Sequence, residues 1–170
     1  ATLLIDTSGA GLHKRGYRKN SNAAPIKETL AAGILDIARV KHFTQFYDPM
    51  CGSGTFLVEA FLRATNTAPG LRRNFAAEKW ICSKPSVWQN ARGEAIEKIN
   101  RSVEFRAFGS DIDENAVKLA LESSKKASGG SLVSVSHADV KDFTLPDKGI
   151  VICNPPYGER LSQDKNVLRL

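Results

Sequence analysis

The apolar pattern divides the chain into alternating elements. "APIKETLAAGILDIARV" (24–40) has a proline near its start, good helix formers after it, and Ile26, Leu30, Ile34 and Ile37 at helical spacing, which predicts an amphipathic helix. "QFYDPM" (45–50) is a short β-prone run cut off by proline, and "GTFLVEAFLRAT" (54–65) resumes a helical period. Strand, glycine turn and helix in that order form the first half of a βαβ unit. Residues 66 to about 85 show no clean period and read as an irregular insertion, followed by a helix over 86–102. "VEFRAFGSDID" (103–113) reads as a strand ending in acids, and "ENAVKLALESSKKA" (114–127) as a helix stopped by Gly129 and Gly130. "SLVSVSHAD" (131–139) alternates as a strand does, and "GIVICNPPYG" (149–158) is an apolar run that ends in two prolines. Strands alternating with helices predict an α/β fold: a largely parallel sheet, helices on both faces, and ligands bound beyond the carboxyl ends of the strands.

Composition narrows this picture. With 170 residues, 42% of them apolar and 25% charged, the chain falls in the range of one globular domain with its own core. No apolar run reaches membrane-spanning length, and "ATLLIDTSGAG" lacks the charged start and apolar middle of a secretion signal, so the default expectation is a cytoplasmic protein off the membrane. Cys51, Cys82 and Cys153 lie far apart without a C-x-x-C pair and only three histidines accompany them, which suggests neither a metal site nor a disulfide framework. The net charge of +6 is unevenly placed: fifteen Lys and Arg stand against nine Asp and Glu up to residue 104, and nine of each follow. "HKRGYRK" (13–19) and "GLRRNF" (70–75) interleave cations with an aromatic, a pattern that suits phosphate contact with base stacking and equally a solvated basic face.

The candidate chemistry gathers at the ends of the expected strands. In "DPMCGSGT" (48–55), Gly52 and Gly54 permit a tight turn and close approach of a ligand to the backbone, and the following helix offers free amides. Tight strand-to-helix turns also use glycine without any ligand. The turn lacks the third glycine of the dinucleotide fingerprint and a phosphate-gripping G-K-[ST], so a phosphate-poor nucleoside suits it better than NAD or ATP. Asp111 in "GSDID" is placed to accept hydrogen bonds from both ribose hydroxyls, with capping of the next helix as its alternative role and Asp113 as the better cap. It lies fifty-seven residues after Gly54, a gap that the basic insertion explains. Asp139 in "HADV" ends another strand, where a carboxylate could take the exocyclic amine of an adenine.

Asn154-Pro155-Pro156-Tyr157 completes the set. It offers a side-chain amide oxygen, a proline that fixes the chain without a donor of its own, and a flat aromatic face. A target amine could donate one hydrogen to Asn154 and one to the Pro155 carbonyl, with the ring of Tyr157 stacked on the planar group that bears it. The exocyclic amine of a nucleobase is a poor nucleophile because its lone pair is delocalised into the ring. Holding both N–H bonds localises that pair, and an already activated sulfonium methyl, that of S-adenosylmethionine, then needs alignment above all. Such amines sit inside helices, so the base must be flipped or unpaired.

These motifs carry a family resemblance. "DPMCGSGT" followed by "NPPYGERL" resembles the class I S-adenosylmethionine-dependent amino-methyltransferases, which have a Rossmann-like fold. "IDTSGAGLHKRGYRKNSNAAPIKETLAAGIL" and "APGLRRNFAAEKW" are similar to the ribosomal RNA guanine-N2 methyltransferases that carry a THUMP domain, many of which are named as N6-adenine DNA methylases. The resemblance implies that Asp48 and the loop Met50, Cys51, Gly52, Ser53, Gly54 and Thr55 hold the methionine end, Asp111 with Ile112 the ribose, and Asp139 with Val140 the adenine. It assigns Asn154 to both cofactor and target, makes Asn154, Pro155, Pro156 and Tyr157 the catalytic motif, and makes Pro25, Lys27, Glu28 and Thr29 candidates on a helix that closes over the cofactor. On this reading residues 1–44 are an N-terminal loop and helix over the site and 45–170 a core with a basic insertion at about 66–102, without a THUMP domain and without the last strands of the family's sheet. The expected activity is methylation of a nucleobase amine, N2 of guanine in 23S ribosomal RNA. DNA adenine-N6 or cytosine-N4 methylation, protein-glutamine methylation and a non-catalytic RNA-binding module are the alternatives.

Overall fold

The computed structural model describes residues 1–18, 25–145 and 148–156. Four strands, β1 (Gln45–Asp48), β2 (Arg106–Asp111), β3 (Val133–His137) and β4 (Ile150–Val151), form a parallel sheet in the order β3-β2-β1-β4. Four α-helices, α1 (Glu28–Ile37), α2 (Thr55–Ala64), α3 (Pro85–Glu97) and α4 (Glu114–Lys126), are joined by 3-10 turns at Ala76–Lys79 and Val140–Asp142. The expected α/β fold with a parallel sheet is the observed one.

Local chemistry sets the element boundaries. Pro49 has no N–H to extend the ladder, so β1 stops at Asp48. Gly54 then takes φ +77° to enter α2, and a Cβ there would sit 2.9 Å from the Cβ of Ala120 on α4, so both the turn and the close approach of the two helices require glycine. At the start of α4 the Asp113 side chain accepts from the amide of Asn115 at 2.8 Å, the capping role expected of it. Pro85 opens α3 at a position where its missing N–H costs nothing.

α2 is buried along nearly its whole length, lies against β1, β2 and β3, and touches α4 on one side and α1 on the other. The core centres on Phe46, Leu57, Val58, Phe105, Ala107 and Ala120, joined by Ala31 and Leu35 of α1. On the opposite face of β1 and β2, Tyr47 stacks on Phe108 at 5.5 Å and meets Phe143 edge-on. A helix over this second face, part of the expected architecture, is not among the described residues.

Several expected boundaries shift. The helix expected over 24–40 spans Glu28–Ile37, and its buried face is Glu28, Ala31 and Leu35. Of the four residues used to predict it, Ile26 and Ile34 pack against the core, but Leu30 is 57% exposed and Ile37 85%. The small Ala31 lets α1 approach α2, and Glu28 turns inward because Arg18 meets it there. β2 begins at Arg106 rather than 103, β3 is confined to Val133–His137, and regular pairing in the run 149–158 covers only Ile150–Val151, since prolines 155 and 156 cannot donate to a ladder. The helix expected over 86–102 ends at Glu97, and a 3-10 turn stands in the segment expected to be irregular.

The basic clusters are largely folded inward. Arg15 pairs with Glu59 of α2 at 3.4 Å, and the Tyr17 hydroxyl donates to the same carboxylate at 3.0 Å. Arg73 inserts its guanidinium among the carbonyls of Ser8, Ala10, Gly11 and Lys14 and lies over the Phe75 ring. Arg72 reaches Ser128 at 2.5 Å. Tyr17, 2% exposed, is therefore not a stacking platform, and these arginines pin the N-terminal segment and the insertion to the core.

Candidate active site

Sheet order determines where a ligand can bind. The chain moves outward from β1 through β2 to β3 and then returns to place β4 on the other side of β1, so the carboxyl ends of β1 and β4 flank the topological switch point. The amide of Ile152 donates to the Tyr47 carbonyl at 3.0 Å, which holds the run into Asn154 beside the end of β1. Asn154 and Pro156 are half-buried and Pro155 is exposed. Tyr157 lies outside the described residues.

Asp48, 1% exposed, ends β1 and accepts from the Met50 amide at 3.2 Å. Burial pushes its carboxyl up to about 7, with a smaller push from Asp111 and partial relief from the Met50 amide. Burial and the neighbouring Asp48 likewise raise the Cys153 thiol, which places the β4 extension within the electrostatic reach of Asp48. The Cys51 thiol is raised by the same two causes, burial first, and is a buried, inert sulfur.

The turn between Asp48 and α2 is tied to β2. The Cys51 amide donates to the Ser110 carbonyl at 2.9 Å, the Ser110 hydroxyl to the Pro49 carbonyl at 3.3 Å, and the Gly52 amide to Asp111 Oδ2 at 2.7 Å. The other Asp111 oxygen accepts from the Asp113 amide at 3.0 Å. Gly52 has φ +53° and open space where a side chain would stand. Ser53 is 5% exposed, and its hydroxyl has no partner among the described residues. Glycine here thus leaves an open cradle at the turn into α2, with the Asp111 carboxylate bonded to its edge.

The structure therefore brings Asp48, Met50, Gly52 and Asp111 together directly. Ile112 is exposed, and its carbonyl meets His137 Nε2 at 2.9 Å. Asp139 is half-exposed beyond β3 and caps the turn Val140–Asp142 through the Lys141 amide at 3.0 Å, so its carboxylate does a local structural job and is not bonded to the turn after β1. Of the α1 candidates, Glu28 is buried against Arg18, Lys27 and Thr29 are exposed, and Pro25 is half-buried.

Arg18 and Ser110 belong to this region and were not singled out from the sequence. Arg18 donates to Thr55 Oγ1 at 2.5 Å and lies 3.4 Å from Glu28. The available signal was the pair of acids, Glu28 and Glu59, in apolar helical stretches, since buried carboxylates need cationic partners. A cleft of about 740 Å³ lies at the other end of α2 between Val40, Arg63, Asn66, Lys98 and Asn100, away from the strand ends. Among the described residues no group of His, Cys, Asp and Glu could hold a metal ion.

Residues 15–170 match the family described as RMKL-like, methyltransferase domain. The protein named "Putative RNA methyltransferase YpsC" of Bacillus subtilis is 44% identical over 168 residues, 98% of this chain and 44% of its own length. The structure of "a predicted N6-adenine-specific DNA methylase" from Listeria monocytogenes is similar over 95% of this chain and 43% of that one, with 44% identity and a TM-score of 0.88. That of "SMU.472, a putative methyltransferase complexed with SAH" is similar over 95% of this chain and 42% of that one, with 38% identity and a TM-score of 0.87. The chain thus spans less than half the length of these relatives.

Proposed function

The chain belongs to the RMKL-like methyltransferase domain family, and from that premise we propose that it transfers a methyl group from S-adenosylmethionine to an exocyclic amine of an RNA base, specifically N2 of guanine in 23S ribosomal RNA. The observation that carries this reading is the arrangement of Asp48, the open Gly52 turn and Asp111 beside Asn154, Pro155 and Pro156 at the switch point of the sheet. A relative of 38% identity is complexed with S-adenosylhomocysteine, the demethylated product, and the name of the Bacillus relative specifies RNA.

The residues present fit such a cofactor. The open space over Gly52 and the amides of the first turn of α2 form a cradle for the methionine end. Asp111 can accept from ribose hydroxyls with the lone pairs that its backbone bonds leave free, and Asp139 with Val140 would flank the adenine. On this reading the N-terminal loop and α1 close over the cradle, which the packing of α1 on α2 supports. The bound cofactor supplies an activated methyl group.

The protein's own contribution is to hold the acceptor. The Asn154 side-chain oxygen and the Pro155 carbonyl take the two hydrogens of the target amine, which leaves its lone pair directed at the cradle, and Tyr157 stacks on the base. No base as strong as a thiolate is needed, in keeping with the raised thiols of Cys51 and Cys153. Among the described residues no helix is long and apolar enough to cross a membrane, and the site of action on this reading is the cytoplasm. Methyl transfer from labelled cofactor to unmodified ribosomal RNA and to DNA tests the proposal. The Listeria relative's name favours DNA adenine, and label on DNA alone would establish that second reading.

A further inference from the structure

We infer that the tip of the insertion, Lys79 to Lys84, is a docking surface for a single-stranded stretch of RNA, with the Trp80 ring stacked on a base and Lys79 and Lys84 meeting phosphates. The inference rests on the RNA substrate proposed above and assigns it residues outside the cofactor turn and the acceptor motif. A protein that holds RNA needs cations free to meet phosphate. The two basic clusters of the sequence supply few, because Arg15, Arg18 and Arg73 are paired inside the fold. The tip is different. Lys79 and Lys84 are exposed, and neither has a carboxylate partner among the described residues.

The chain has two tryptophans, and the insertion uses them differently. Trp88 of α3 is structural: it stacks on Phe75 at 5.6 Å and donates from Nε1 to Ser83 Oγ at 2.6 Å. Arg92 lies over the Trp88 ring and ties α3 to the preceding turn through Glu78 at 2.7 Å and the Arg73 carbonyl at 3.1 Å. Trp80 has no such role. It is 38% exposed, with no ring neighbour and no acceptor for its N–H among the described residues. Ile81 beside it is fully exposed, and Val87 in the first turn of α3 is 61% exposed. The Ser83 amide donates to the Trp80 carbonyl at 2.9 Å, so the braced turn presents this apolar surface already in shape, which lowers the cost of ordering it on binding. α3 begins at Pro85 without a side-chain cap, and its dipole adds positive potential beside Lys84. The lysines decide between occupants. A protein partner would have to cover or pair both, and lysine is depleted in such interfaces, whereas a polynucleotide takes the ring and the two cations together.

Titration of wild type, Trp80→Ala, Trp80→Phe and the double variant Lys79→Gln/Lys84→Gln with a labelled oligouridylate, beside S-adenosylhomocysteine as a control, tests this. Loss of one stacked base predicts that Trp80→Ala weakens the oligonucleotide by roughly 5- to 100-fold, and Trp80→Phe recovers most of that loss. The double lysine variant lowers the slope of log affinity against log salt by about 1.4, at about 0.7 for each phosphate contact removed. S-adenosylhomocysteine affinity and the melting temperature stay at the wild-type values in all three. Wild-type protein that does not bind the oligonucleotide, or Trp80→Ala that binds it as wild type does, overturns the docking surface, and the methyltransferase reading stands if labelled methyl still reaches ribosomal RNA. Trp80→Ala that keeps its RNA affinity but loses self-association in sedimentation marks the tip as a contact between copies and likewise overturns the proposal. Wild-type protein that binds the oligonucleotide through Trp80 but methylates no nucleic acid overturns the methyltransferase reading and leaves the docking surface standing.

Discussion

Asp111 Oδ2 accepts a 2.7 Å hydrogen bond from the amide of Gly52. The end of β2 therefore shapes the turn after β1, and the acid expected to hold a ribose also holds the loop expected to hold the methionine end. Removing this carboxylate should both relax the turn and delete a ligand contact. Asp111→Ala is expected to weaken S-adenosylhomocysteine by more than about 10-fold, while Asp111→Asn, which keeps one oxygen to accept from Gly52, loses less, as the cost of a charged hydrogen bond implies. Calorimetric titration of the two variants measures the difference.

On the proposed reading Asn154 accepts a hydrogen bond from the target amine and does not hold the turn after β1. Asn154→Ala should keep the cofactor affinity within about threefold and slow methyl transfer by about 100-fold or more, the scale of losing one aligned polar group at a reacting centre. Single-turnover rates beside a binding titration separate the two effects.

The buried carboxyl of Asp48, raised to about 7, links binding to pH. A cationic ligand beside it favours the ionised form, so binding below that value must expel a proton. Affinity for S-adenosylmethionine should therefore rise with pH up to about 7 and level off above it, and Asp48→Asn should remove the slope. The stability of the free protein runs the other way. A fold that favours the protonated carboxyl is helped most below the ordinary value of 3.8 and loses that help as pH climbs through about 7. Titrations across pH, with proton release measured in two buffers, and denaturant melts of the free protein check both signs.

Arg73 binds four carbonyls of the N-terminal segment through its side chain, beside the backbone amides of Ala76 and Ala77, which donate to the carbonyls of Ser8 and Thr7. Arg73→Ala should loosen residues 10–14 and cost roughly 1.5–3 kcal/mol, the scale for hydrogen bonds to a charged group. Trypsin should then cut first at Lys14 or Arg15, before the sheet unfolds, and limited proteolysis with mass spectrometry reads the site.

The sheet was legible because its signals are local: a proline after Tyr47-Asp48, glycines at 52 and 54, and an acid after each of two strands each act within a few residues. The same locality hid the fate of the charges. Arg15, Arg18 and Arg73 look alike as a basic surface, and only their pairing with Glu59, Glu28 and distant carbonyls turns them inward. α1 shows the same limit from the apolar side, because Leu30 and Ile37 fit a helical period as well as Ala31 and Leu35 do, and packing on α2 selected the smaller pair. At Asp139 the acid was foreseen but its bond to Lys141 was not, since a cap and a ligand contact have the same sequence sign.

Methyl transfer from labelled S-adenosylmethionine, offered in parallel to unmodified ribosomal RNA, to DNA and to a glutamine peptide, tests the central claim most directly. The account predicts label in the RNA, released on digestion as N2-methylguanosine and lost with Asn154→Ala. Label confined to DNA or to the peptide, or undiminished transfer by Asn154→Ala, would contradict it.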